Sequence, residues 1–185
     1  MAERDDKLRV NLCRVLYIVT AVVYLYTAGF GSFSDMTQRA LLITVCGFTI
    51  FLRKPIQLKK AQTAVTRVLD WVFAFAFSAA GIYIMAVWND RTAKVGAPPQ
   101  QDIIMATIMI VLLLFATYKA TGWPLVITCI VFLIYTAAGP YLPSILAHRG
   151  ETWTRTANFM YVSTGSIFGV PAGIAATYII SFVIF

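Results

Sequence analysis

Residues 68–88 read VLDWVFAFAFSAAGIYIMAVW. The stretch holds one formal charge, Asp70, close to its start, and a tryptophan near each end, Trp71 and Trp88. A helix this apolar needs an equally apolar shell, and a bilayer supplies one to any run of about 20 such residues. The seventeen steps from Trp71 to Trp88 span about 26 Å at about 1.5 Å each, close to a hydrocarbon thickness of about 30 Å. Indole rings favour the headgroup boundary, so both ends of the stretch carry an anchor. In lipid such a segment satisfies its backbone by becoming helical. The stretch therefore predicts a membrane-spanning helix and, with it, an all-α fold.

The same reading extends outward. Apolar runs cover roughly 15–33, 36–52, 103–118, 123–142 and the residues from Ile167 on. Of the 185 residues, 59% are hydrophobic and 12% charged, with a mean hydropathy of +0.77. Soluble domains carry about 25% charge. This chain lacks the polar residues to clothe a soluble surface, and the expectation is a polytopic membrane protein of about six transmembrane helices.

The net charge of +7 sits in short clusters between the apolar runs, as topology signals do, and argues for no nucleic-acid partner. With the N-terminus inside, ten cations flank the inner ends, Arg9, Lys59, Lys60 and Lys119 among them, against five on the outer flanks. The loop RKPIQLKKAQTAVTR, residues 53–67, dominates that balance. The N-terminus is expected in the cytoplasm, and the opening MAERDDKLRV reads as the flank of an uncleaved first span, although residues 27–29 weakly resemble a cleavage site. Cys13, Cys46 and Cys129 each lie in an apolar run, away from His148 and without a CxxC pair, so packed thiols are expected and no metal or bound cofactor.

The links carry local signals. Asp102 precedes a long apolar run and suits a helix cap at the positive dipole end, while Lys119 suits the opposite end. KATGWP then makes a tight antiparallel turn, with Gly122 as breaker, Trp123 beside it, and Pro124 in the next helix's first turn. Gly139 and Pro140 should end or bend the fifth helix, and Pro143 can open a short helix stopped by Gly150. Trp153, Ala157, Met160 and Tyr161 share one helical face, as in a segment lying at the outer interface.

Few residues offer chemistry. Asp70 lies one turn inside its span, where Arg67 at i−3 can pair with it; a structural role competes there with ion or proton handling. Arg14 can snorkel to headgroups. His148, Arg149 and Glu151 hold acid–base types but no second constellation. Gly165, Gly169 and Gly173, spaced four apart around Pro171, permit close helix packing and also resemble the broken helices of transporter sites. Phosphate-loop, HExxH and GxSxG motifs are absent, and no enzyme activity is expected.

Several blocks together carry a family resemblance: Gly122-Trp123-Pro124, Gly139-Pro140-Tyr141-Leu142-Pro143, Ala147-His148-Arg149-Gly150, Ile167-Phe168-Gly169-Val170-Pro171, and the LDWVFA stretch from Leu69. They resemble the fused permease of tripartite ATP-independent periplasmic (TRAP) transporters, in which a small four-span subunit is joined to a large one. The resemblance implies a cytoplasmic segment over 1–14, a small-subunit-like region over 15–121, and the start of the large subunit over 122–185. It implies a scaffold in the cytoplasmic (inner) membrane of a bacterium or archaeon. The expected partners are the bilayer, a periplasmic solute-binding protein and the remainder of the large subunit. It implies sodium-driven organic-acid uptake for the whole transporter, and a chain cut off at Phe185 that does not transport alone. A self-standing small membrane protein with a structural or assembly role is the alternative.

Overall fold

The computed structural model describes residues 2–31, 33–53, 64–92, 98–143 and 146–184. Lys54, Lys59, Lys60, Lys94 and Phe185 lie outside them, as does the middle, residues 54–63, of the loop that dominates the orientation argument. The described chain is helical: α1 (Ala2–Phe30), α2 (Asp35–Arg53), α3 (Ala64–Thr92), α4 (Gln100–Thr121), α5 (Trp123–Ala138) and α6 (Trp153–Val162). After these come α7 (Val170–Ile174), a π-helical turn (Ala175–Ile179) and α8 (Ile180–Ile184).

Five stretches are long and apolar enough to cross a membrane: Lys7–Phe30, Asp35–Arg53, Val65–Arg91, Gln100–Thr121 and Trp123–Tyr141. The protein is an all-helical, multi-pass membrane protein. The sixth apolar run differs from its expected form. Its apolar helix covers only Val170–Val183, because a turn occupies the residues before Gly169 and helix starts at the Val170–Pro171 step.

α2 and α3 form the centre. Both carry a glycine where the partner presses in. A Cβ at Gly47 would collide with the Phe77 ring, and one at Gly81 with the Thr44 side chain. Small residues at these two positions let the helices approach as membrane helices must to gain dispersion contact. Phe51 and Phe77 fill the space between, with ring centroids 6.1 Å apart. α4 closes over them with Met109, Ile110 and Leu112 buried. α5 is different: Val126 is its one buried residue. Outward-facing Val22, Phe75, Ile82, Val111 and Phe132 are each more than half exposed, which gives the bundle an apolar exterior.

Gly122 has φ +90°, so the α4–α5 turn needs a residue without a Cβ. Its N–H donates to Tyr118 O at 2.9 Å, and Pro124 stands in the first turn of α5. No helix is found at Pro143 or over 146–150 among the described residues. Leu146 and Ala147 N–H donate back to the Pro143 carbonyl as a turn, and residues 147–150 run without regular structure.

Candidate functional site

The two carboxylates buried in the apolar bundle are the places where chemistry could concentrate. Asp70 is 0% exposed and Asp102 2% exposed. Burying a carboxylate is costly unless cations and donors meet it. Each of these is met by residues from other helices.

Around Asp70, the Lys119 ammonium lies 2.6 Å from Oδ1 and Arg9 Nη1 3.7 Å from Oδ2. Arg9 Nη2 also donates to Arg67 O at 3.2 Å. Aromatic faces complete the surroundings. Lys119 Nζ stands 4.9 Å from the Phe51 ring centroid and 5.4 Å from that of Phe115, and the Arg9 guanidinium 5.7 Å from the Trp71 ring. Rings attract cations more strongly where water is excluded. The centre thus ties the start of α1, the second turn of α3 and the end of α4 into one knot. A carboxylate flanked by two cations repels a third, so this arrangement favours cohesion over cation binding.

Asp102 does not cap α4. Pro99 holds the cap position, without a side-chain cap hydrogen bond. The carboxylate turns sideways to α3, where Tyr83 Oη donates to Oδ1 at 2.6 Å and Arg91 Nη2 to the same oxygen at 3.3 Å. Arg91 Nε pairs with Oδ2 at 2.8 Å as an ion contact rather than an aligned hydrogen bond. A side chain that neutralises Arg91 in an apolar setting gains more than one that caps a helix whose N–H groups other acceptors can meet. Nearby, the buried Tyr161 of α6 donates its hydroxyl to Ala80 O of α3.

Asp102 and Lys119 are seventeen residues apart on α4, about 25 Å. Asp70 and Arg91 are twenty-one apart on α3, about 31 Å. The charge centres therefore form two layers separated by about one hydrocarbon thickness. Ala80 falls roughly midway along α3 between them, so α6 reaches from the Asp102 layer to mid-depth.

The residues that sequence singled out assemble in four places. Asp70 and Trp71 belong to the first centre. Gly122, Trp123 and Pro124 make the α4–α5 turn, where the Trp123 and Tyr118 ring centroids are 4.8 Å apart. Gly139, Pro140 and His148 meet at the far end of α5. There His148 N–H donates to Gly139 O at 3.3 Å, and Glu151 N–H to Thr136 O at 3.0 Å. The His148 ring lies 4.7 Å from Tyr135, with Nε2 3.4 Å from Thr136 O. A Cβ at Gly139 would come 2.6 Å from His148 O, and Gly150, at φ +70°, abuts the Pro140 ring. Gly139-Pro140 and His148-Arg149-Gly150 are two halves of one cap on the free carbonyls of α5. Arg149 itself is exposed.

Gly169 and Pro171 start α7 beside α2. Arg39 Nη1 donates to Phe168 O at 3.1 Å, and a Cβ on Gly173 would stand 3.0 Å from the same guanidinium. Sequence reasoning placed Arg39 and Arg91 only as flank cations, and gave Tyr83 no part. An acid at the start of an apolar run with an arginine eleven residues earlier is the signal from which the Asp102 centre could have been found. Among the described residues, no group of His, Cys, Asp and Glu has the makeup of a metal site. No protein-family model matches the chain, and no curated protein or solved structure matches it either.

Proposed function

We propose that the chain is the fixed helical frame of a secondary transporter, the scaffold portion of a TRAP-type permease for organic acids. In this reading α1–α4 are the small-subunit-like unit, and α5 onward begins the large subunit. It sits in the cytoplasmic membrane of a bacterium or archaeon, with the Lys119 end inside. A periplasmic solute-binding protein docks at the Asp102 end, and a sodium gradient drives the assembled transporter but not this chain alone. The observation that carries the proposal is the saturation of both buried carboxylates by cations from neighbouring helices. Such knots hold helices still, as a frame against which other parts move requires. The family blocks quoted above supply the transporter type.

The test is sodium-driven uptake of radiolabelled organic acids into proteoliposomes with the binding protein present. The 185-residue chain alone gives none, and uptake appears when the remainder of the large subunit is co-reconstituted. Uptake by the chain alone would overturn the division of labour. The well-packed α1–α4 core also favours the self-standing assembly protein as a second reading. A monodisperse chain that binds neither a binding protein nor a permease partner supports that alternative.

A further inference from the structure

A cleft of about 640 Å³ opens between α4, α5 and α6. Leu114 and Thr117 line it from α4, Cys129 and Leu133 from α5, and Phe159 and Met160 from α6. We propose that it binds one phospholipid, with an acyl chain in the cleft and the phosphate at Arg155.

Three observations point to that occupant. The first is depth. Leu114 and Thr117 lie on α4 between Asp102 and Lys119, and so between the two charge layers. An apolar cavity at that level offers water too few partners and suits hydrocarbon. The second is shape. α4 and α5 meet at the Gly122 turn, with Tyr118 and Trp123 in ring contact, and α6 lines the cleft through Phe159 and Met160. An alkyl chain is thin enough to lie between three helices in this way. The third is charge. At the wide end Arg155, with a side chain 71% exposed, pairs through Nε with Glu151 at 3.2 Å. That contact engages Nε while the side chain stays largely exposed, and Arg149 on the same outer stretch is exposed as well. Guanidinium matches phosphate in both charge and fork geometry. The inference needs only the multi-pass membrane fold, and its failure would leave the transporter proposal standing.

The experiment uses the full chain, stripped of lipid in detergent and then offered dioleoyl phosphatidylglycerol or diolein, with bound lipid counted by native mass spectrometry. One phosphatidylglycerol is retained per chain, and Leu133→Trp, which fills the cleft, lowers retention about tenfold. Val131→Trp, on the opposite face of α5, leaves it unchanged. Arg155→Gln lowers phosphatidylglycerol retention about fivefold without changing that of diolein. In a Cys13→Ala/Cys46→Ala background, phosphatidylglycerol slows alkylation of Cys129 by N-ethylmaleimide about fivefold. If Leu133→Trp does not fold, Thr117→Phe fills the cleft from the α4 side. Equal retention by the filled and native clefts, diolein held as well as phosphatidylglycerol, unaltered Cys129 reactivity, or a dimer cross-linked through Cys129 would each overturn the proposal.

Discussion

The Lys119 ammonium sits 2.6 Å from the Asp70 carboxylate, joining the end of α4 to the second turn of α3 across 49 residues of sequence. With Arg9 on the other carboxylate oxygen, the contact makes three helices interdependent at one end of the bundle.

Removing one member of such a group strands the others. Asp70→Asn is expected to cost about 3–5 kcal/mol, since it leaves two buried cations with a neutral partner. Asp70→Asn/Lys119→Met should cost clearly less than the sum of the two single changes. Denaturant titrations in mixed micelles read both numbers, and additive costs would show that the pair is not coupled.

The close approach of α2 and α3 at Gly81 gives a second expectation. Gly81→Ala pushes a methyl into Thr44 and should destabilise by about 1–3 kcal/mol, despite the better helix propensity of alanine. Thr44→Ala in the same chain should recover most of the loss. Thermal unfolding of the double variant decides it: no recovery would place the clash elsewhere.

Tyr161 ties α6 to α3. Tyr161→Phe should cost about 1 kcal/mol through the lost bond to Ala80 O. Denaturant titration in mixed micelles reads the loss, and an unchanged stability would show that the bond contributes nothing.

Orientation is open to direct labelling. With Lys60→Cys in a Cys13→Ala/Cys46→Ala/Cys129→Ala background, an impermeant maleimide should react only after cells are opened. Reaction in intact cells would reverse the assignment of inner and outer faces.

Much of the architecture was legible because a membrane imposes one rule on each segment. The breaker Gly122 and the first-turn Pro124 each report on their own neighbourhood, and each stands where expected. Of the four α6 residues read as one face, Ala157 and Tyr161 are fully buried but Trp153 is 47% exposed, and the helix reaches inward to Ala80 of α3 rather than lying along the interface. What sequence could not give was pairing between helices. Arg9 and Lys119, remote from Asp70 in sequence, approach it in the fold. Asp102 looked like a cap because its own helix was the only context in view. His148 looked like part of a polar turn, while its partners at Thr136 and Gly139 become neighbours only when the chain doubles back. The length of the sixth helix was overstated because an apolar run does not reveal where a glycine–proline step delays its first turn.

The saturated carboxylates also bear on how the protein enters its membrane. A lone helix carrying Asp70 at its edge, or one carrying both Asp102 and Lys119, faces an insertion penalty of up to about 2.5–3.5 kcal/mol per central charge. Each penalty falls when the partner helix is already alongside. α3 and α4 are therefore suited to leave the translocation machinery as a hairpin rather than one after the other, and the short link between them keeps the two within reach during biogenesis.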